Sequence, residues 1–225
     1  MTLSLPRALS SKQERNLVQW LEENFLSITA AYKKRSQPLS SKLPTLEKYL
    51  KANQEVLCVI LQIPPIDPST SLRITFLLRL TGDVLNSVPG YPAEPDILPD
   101  LLGMLDDLDQ AWVTVLQSQI WDPKTGATSD LEVPADSVIA HPDIKSTPMN
   151  QTERTRLRSL VVSGTTSLEE WLGEMKTEGD EGYQEVLERL GLQQGFDDVF
   201  ARTLEELGAL GGSFVIPQPM ETCTS

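Results

Sequence analysis

Histidine and cysteine are scarce in this chain of 225 residues, and their scarcity argues against most catalytic chemistries. The one histidine is His141, and the two cysteines, Cys58 and Cys223, lie far apart. A Ser-His-Asp or Cys-His system needs a histidine base beside its nucleophile, and a structural zinc site needs clustered His or Cys ligands. We therefore expect neither a hydrolase triad nor a zinc site. Two distant cysteines also predict free thiols in a reducing compartment rather than a disulfide framework.

Phosphate-binding glycine motifs and membrane-spanning runs are also missing. The sequence contains neither Gly-x-x-x-x-Gly-Lys-Ser/Thr nor Gly-x-Ser-x-Gly. Its longest apolar region, LRITFLLRL, is interrupted by Arg73 and Arg79 and is shorter than the ~18 residues of a spanning helix. The N-terminus, MTLSLPRALSSKQER, lacks the apolar core of a signal peptide. These absences predict a non-catalytic protein with no cofactor, no small-molecule substrate and no membrane association.

Aromatic residues are few, at 6%, and leucine carries much of the 40% hydrophobic content. This composition favours helix, and no alternation of apolar and polar residues persists long enough to indicate a strand. We therefore predict an all-α protein. Its expected architecture is an antiparallel bundle of about five long helices with a smaller C-terminal helical appendage.

Proline and glycine divide the chain into four expected parts. Residues 1–121 hold helices one to four of the bundle, and residues 122–149 form a flexible linker rich in Pro, Asp, Ser and Thr. Residues 150–176 form the fifth bundle helix. Residues 177–225 hold short acidic helices and a flexible tail. Inside the linker, Thr147 and Pro148 form the minimal target of a proline-directed kinase.

Apolar spacing and capping residues set the expected helix bounds. Ser11 and Glu14 fit a capping box at the start of the first helix. The third helix is expected over residues 71–88 and the fourth over residues 99–120. The outer face of the fourth helix carries a group of carboxylates, Asp106, Asp107 and Asp109. Because the glycine turn and distal glutamate of a calcium loop are missing, we interpret this group as a solvated helix face.

The fifth helix is predicted from a capping box and a regular apolar seam. Asn150 is the expected N-cap, with Glu153 three residues later. Positions spaced by four and three form a heptad seam along one face: Leu157, Val161, Gly164, Leu168 and Trp171. A glycine inside a helix destabilises it by roughly 0.5–1 kcal/mol relative to alanine. Gly164 therefore indicates either a close helix crossing or a break at SGTTS, where Ser167 would cap a second segment.

The basic residues do not form one stripe. Arg154 and Arg158 share a helix face, whereas Arg156 is rotated by about 200° from each. Lys33, Lys34 and Arg35 suit the C-terminal turn of the first helix through its macrodipole. The candidates for partner contact are Lys33, Lys34, Arg35, Arg154, Arg156 and Arg158.

The net charge of −13 is unevenly distributed. Residues 1–80 carry a formal charge of +5, and residues 81–225 carry −18. An acidic surface of this size repels phosphates and argues against direct nucleic-acid binding by the whole chain. It favours solubility or a protein partner with a basic surface.

The order of the helical segments resembles a known family. The segments are SSKQERNLVQWLEENFLSITAAYKKR, LEKYLKANQEVLCVILQI, FLLRLTGDVLNSVPGYP, LLGMLDDLDQAWVTVL and QTERTRLRSLVVSGTTSLEEWL. This order, together with GYP and TERTRLRSL, resembles the fungal accessory subunit of the transcription and repair factor TFIIH, known as its eleventh subunit. The resemblance covers roughly residues 10–175.

The resemblance implies a nuclear regulatory subunit without catalytic activity. Members of that family associate with TFIIH and promote dissociation of its XPB-type DNA translocase. The same sequence leaves two alternatives open. One is a helical adaptor or assembly factor of another nuclear complex, and the other is a nucleic-acid-binding helical module that uses the basic N-terminal third.

Overall fold

The computed structural model describes residues 7–37, 41–122, 125–131, 145–175 and 182–209, and these residues are mainly helical. The helices are α1 (Ser11–Lys33), α2 (Leu46–Leu61), α3 (Ser69–Ser87), α4 (Leu98–Leu116), α5 (Gln151–Gly173), α6 (Tyr183–Leu190), α7 (Gln193–Asp197) and α8 (Ala201–Ala209). Short 3-10 turns cover Val88–Gly90 and Pro95–Ile97, and strands β1 (Ile120–Trp121) and β2 (Thr128–Ser129) pair antiparallel. The all-α prediction is confirmed. Among these helices none is both long enough and apolar enough to cross a membrane.

Capping boxes start α1 and α5. In α1 the N-cap is Ser10, whose hydroxyl accepts from the Gln13 amide while the Gln13 side chain accepts from the Ser10 amide at 2.9 Å. The predicted Ser11–Glu14 box was therefore one residue too late, because glutamine serves as well as glutamate at this position. In α5 the predicted box is present: Asn150 and Glu153 accept from each other's amides, both at 3.0 Å.

The fourth helix ends earlier than the sequence indicated. Ser118 adopts a left-handed conformation with a φ of 55°, so the chain leaves the helix before Ile120 and enters the hairpin of β1 and β2. The buried guanidinium of Arg73 donates to the Gln119 carbonyl at 2.8 Å. This contact ties α3 to the turn after α4, and the burial that it requires lowers the pKa of Arg73 to about 10.

The core lies around α3, which packs against α2, α4 and α5. Residues on several of its sides are buried, including Ile74, Leu77, Leu80 and Val84. All five seam residues of α5 are buried as well: Leu157, Val161, Gly164, Leu168 and Trp171.

Helix α5 runs unbroken through Gly164, which excludes the alternative of a break at SGTTS. A Cβ atom at Gly164 would lie 2.5 Å from Cδ1 of Leu85 on α3. Gly82 faces the same helix pair, and its Cβ would lie 3.6 Å from Cδ1 of Leu160. The glycine at position 164 therefore marks the point where α3 and α5 cross most tightly.

The C-terminal helices pack on the bundle through α4. Asp109 is 3% exposed. Its carboxylate accepts from the Thr203 amide at 2.8 Å and from Arg202 Nε at 2.9 Å. Asp109 therefore satisfies a free amide in the first turn of α8. The interpretation of a solvated carboxylate face was wrong at this position, because the appendage covers it.

After Gly191 the chain forms two short helices, α7 and α8. Phe200 separates the two with a φ of 60° and is fully buried. This left-handed residue turns the chain so that α8 can reach α4. His141, Cys223 and the tail over residues 214–216 lie outside the described residues. Cys58 is half-buried on α2, and desolvation raises the pKa of its thiol.

Candidate functional site

A groove of about 1010 Å³ runs between α3 and α5 on the outside of the bundle. From α3 it is lined by Thr75, Leu78, Arg79, Gly82, Asp83 and Asn86, and from α5 by Gln151, Thr152, Thr155, Arg156, Ser159, Leu160 and Ser163. Its α5 wall is thus one face of the segment TERTRLRSL, extended by Gln151 and Ser163 on either side of that segment.

Helical periodicity explains why polar residues line both walls. On α5 the row Thr152, Arg156, Ser159 and Ser163 repeats by four and three, as the buried seam does, but lies about 100° away from it. On α3 the spacing is the same, with Thr75, Arg79, Gly82 and Asn86. The helices therefore use one face for the core and the adjoining face for the groove.

The floor of the groove is apolar and its walls carry hydroxyl groups. Leu78 is buried, and Leu160 lies against Gly82, where the two helices approach closely. The Thr75 and Thr155 hydroxyls donate to carbonyls of their own helices at 2.8 and 2.9 Å. Their oxygens remain able to accept hydrogen bonds from a ligand. The groove thus combines an apolar floor with polar walls, as protein-binding surfaces combine an apolar centre with a polar rim.

One charged group at the groove is fixed by α1. Arg79 Nη1 lies 2.7 Å from Glu22 Oε2, and its guanidinium stacks 4.2 Å from the ring centroid of Phe25. Asp83 is farther from the same guanidinium, at 3.9 Å, and desolvation raises its pKa despite that cation. Arg79 is therefore held in place as part of the wall.

Arg156 is the cation of the groove that we expect to contact a partner. It is exposed and makes no ion pair within the part of the chain that the structure describes. Arg158 is exposed outside the groove, and Arg154 is half-buried. The structure therefore places Arg156 in the groove and apart from Arg154 and Arg158, as the helical geometry predicts.

The basic residues at the end of α1 also separate. Lys33 and Lys34 are exposed, whereas Arg35 is half-buried and stacks over the ring of Tyr32 at 4.2 Å. Arg35 Nε donates to the Gly90 carbonyl at 2.8 Å. Arg35 is therefore a structural residue, and Lys33 and Lys34 remain available to a partner.

An aromatic cluster that the sequence reasoning missed surrounds Arg35. The rings of Tyr32, Tyr49 and Tyr91 lie 5.6–5.8 Å apart, centroid to centroid. The Tyr49 hydroxyl donates to the Asp83 carbonyl at 2.9 Å, and burial raises the pKa of Tyr91 to about 12. Because these tyrosines come from three separate segments, no local spacing indicates their contact.

The motif GYP is explained by this cluster. A Cβ at Gly90 would overlap the Tyr32 hydroxyl, so any larger residue there would displace the Tyr32 ring. The carbonyl of Tyr91 accepts from the indole of Trp171 at 2.7 Å. GYP therefore joins α1 and α2 to the C-terminal half of α5, and it serves the fold.

The acidic side chains are also potential metal ligands. In residues 7–37, 41–122, 125–131, 145–175 and 182–209, no group of three His, Cys, Asp or Glu side chains is placed to hold a metal ion. The α4 carboxylates point to other partners: Asp107 accepts from Gln54 at 2.7 Å, and Asp106 pairs with Arg202.

The chain was compared with protein families, with curated proteins and with solved structures. No match was found in any of the three. The resemblance to the TFIIH accessory family therefore rests on the residues of the chain themselves.

Proposed function

We propose that this protein is a non-catalytic helical regulatory subunit of TFIIH that acts in the nucleus and promotes dissociation of the XPB-type translocase. The order of helical segments and the motif TERTRLRSL support the proposal. The groove supplies a surface through which such a subunit can act.

The observation that carries the proposal is the position of Thr152–Leu160. Within this segment Leu157 is buried in the core, while Thr152, Thr155, Arg156 and Ser159 line the groove. Core packing accounts for the leucine but leaves Arg156 without a structural task. The same stretch that carries the resemblance thus presents an exposed cation beside an apolar floor.

The chemistry of the groove defines the partner segment. The partner segment presents a carboxylate to Arg156 and an apolar side chain to Leu160 on the floor of the groove. A charge-assisted contact of this kind, once shielded by neighbouring groups, contributes more to binding than an exposed surface pair does. The acidic remainder of the chain faces a basic surface of the same partner.

Affinity purification from fungal nuclear extract tests the proposal. We expect the tagged protein to recover TFIIH subunits and Arg156→Glu to recover several-fold less of them. Arg158→Glu is the matched control, because it makes the same charge change two residues away and outside the groove. Recovery of no TFIIH subunit with the wild-type protein would refute the proposal.

The same experiment separates the alternatives. Recovery of a different nuclear complex would identify the chain as an adaptor of that complex. Salt-dependent binding to short DNA, lost on substitution of Lys33 and Lys34, would identify a nucleic-acid-binding module instead.

A further inference from the structure

Thr147 forms a two-point contact with Asp67 across 80 residues of sequence. The Thr147 amide donates to Asp67 Oδ1 at 3.3 Å, and the Thr147 hydroxyl donates to Oδ2 of the same carboxylate. The Asp67 amide in turn donates to the Lys145 carbonyl at 2.8 Å. We call these three hydrogen bonds the Asp67–Thr147 latch.

The latch joins the segment before α5 to the turn between α2 and α3. Asp67 lies in the turn between α2 and α3, and Thr147 lies three residues before the N-cap of α5. Two residues after Asp67, the Ser69 hydroxyl accepts from the Leu9 amide at 2.9 Å, just before α1. The latch therefore fixes the approach to α5 against the α2–α3 turn.

Thr147 also has the chemical context of a kinase target. The chain has 16 prolines, and Pro148 alone follows a serine or threonine. Thr147 and Pro148 are both exposed. A proline-directed kinase therefore has one Ser/Thr-Pro site in the whole sequence, and that site is the donor of the latch.

We propose that Thr147 is a phosphorylation site and that its modification opens the latch. A proline-directed protein kinase transfers the γ-phosphoryl group of a nucleoside triphosphate to Thr147 Oγ1. The new O–P bond replaces the anhydride bond, the hydroxyl proton leaves to the kinase base, and the nucleoside diphosphate departs.

Phosphorylation of Thr147 opens the latch because it changes the charge beside Asp67. The hydroxyl donor becomes a phosphate of about −1.5 to −2 charge with acceptor oxygens only. The Asp67 carboxylate then loses its hydrogen bond and faces a like charge. Lys145, the nearby cation that favours ionised Asp67, becomes a partner for the phosphate instead. Residues 145–148 therefore leave the α2–α3 turn.

The rest of α5 stays in place after this release. Met149 is buried, and the Asn150–Glu153 capping box is held by two hydrogen bonds of its own. The expected change is thus confined to the segment before α5. This inference does not depend on the TFIIH assignment, because release of residues 145–148 can change the binding of any partner that contacts this part of the bundle.

The first test uses a cyclin-dependent-type kinase on the folded full chain. We expect phosphate on Thr147, mapped by tandem mass spectrometry, and none on Thr147→Ala. A kinase that modifies a synthetic peptide of residues 141–155 but never the folded chain would overturn the proposal.

The second test measures amide hydrogen exchange in the phosphorylated protein. We expect the Asp67 and Thr147 amides to exchange at least about tenfold faster after phosphorylation, while the amides of α5 beyond its first turn keep their rates. Thr147→Val removes the hydroxyl without adding charge, so its effect should be smaller. In Asp67→Asn, phosphorylation should accelerate exchange of these amides less than it does in the wild type, because residue 67 then carries no negative charge to repel the phosphate. Unchanged exchange of the Asp67 amide in the phosphoprotein would overturn the proposal.

Discussion

At the scale of the residue, the tightest constraints are glycines where a neighbouring side chain occupies the space of a Cβ. A Cβ at Gly164 would lie 2.5 Å from Cδ1 of Leu85, and a Cβ at Gly90 would overlap the Tyr32 hydroxyl. Gly103, by contrast, has no atom within 4 Å of a Cβ placed there, although it also lies inside a helix. The three positions therefore predict opposite responses to the same substitution.

Gly164→Ala should destabilise the protein, because Leu85 contacts the new methyl through its Cβ and Cγ as well as its tip. We expect a loss of about 1–3 kcal/mol. Gly103→Ala should instead stabilise the protein by about 0.5–1 kcal/mol through helix propensity. Urea denaturation of the two variants measures both. Equal stabilisation by both substitutions would contradict the close crossing of α3 and α5.

A second pair of neighbouring residues predicts opposite effects of charge removal. Desolvation and, to a smaller extent, Asp106 raise the pKa of Asp107, whereas Asp106 pairs with Arg202. Asp107→Asn keeps an acceptor for Gln54 and removes an unfavourable charge, so the melting temperature at pH 7 should rise slightly. Asp106→Asn should lower it slightly, because exposed pairs contribute about 0–1 kcal/mol. Thermal melting at neutral pH compares them, and a fall for Asp107→Asn would count against this account of its environment.

At the scale of the element, Asp109 joins the appendage to the bundle. Its carboxylate is the partner of the Thr203 amide and of Arg202 Nε, both at the start of α8. Asp109→Ala leaves that amide buried without an acceptor, which costs about 1–3 kcal/mol. We expect faster hydrogen exchange throughout α8 and little change in α2. Exchange that rises equally in both helices would show global unfolding instead of release of α8.

The latch before α5 predicts a pH dependence with a defined sign. The Thr147 hydroxyl, the largest influence, holds the pKa of Asp67 below its ordinary value. The folded state therefore favours ionised Asp67, and this stabilisation is present above the ordinary carboxylate pKa and is lost as pH falls through the folded value. The melting-temperature difference between wild type and Thr147→Val should thus shrink from pH 6 to pH 3. A constant difference over that range would contradict the Asp67–Thr147 contact.

The sequence predicted whole elements better than their ends and their distant contacts. The seam from Leu157 to Trp171 follows from local spacing, as does the Asn150 cap. The end of α4 does not follow from local spacing, because the contact with Arg73 and the left-handed Ser118 determine it. The α5 wall of the groove could be predicted in part, because helical rotation separates Arg156 from Arg154 and Arg158. The opposite wall on α3 required the tertiary structure, since no local pattern pairs α3 with α5.

At the scale of the whole molecule, the acidic charge and the helical fold suit a subunit that acts by contact. The groove between α3 and α5 lies on the outside of the bundle, and its exposed cation is Arg156. The appendage lies against α4 through Asp109 and leaves the groove uncovered by α8. Among the described residues, one face of the bundle thus carries the groove while another packs against the C-terminal helices.

Release of the translocase from purified TFIIH tests the central proposal most directly. TFIIH is immobilised through a core subunit, the protein is added in excess, and the XPB-type translocase left on the resin is quantified. We predict that the wild type and Arg158→Glu lower the retained translocase several-fold, while Arg156→Glu leaves it near the level without added protein. Retention that the wild-type protein does not change would contradict the proposed function.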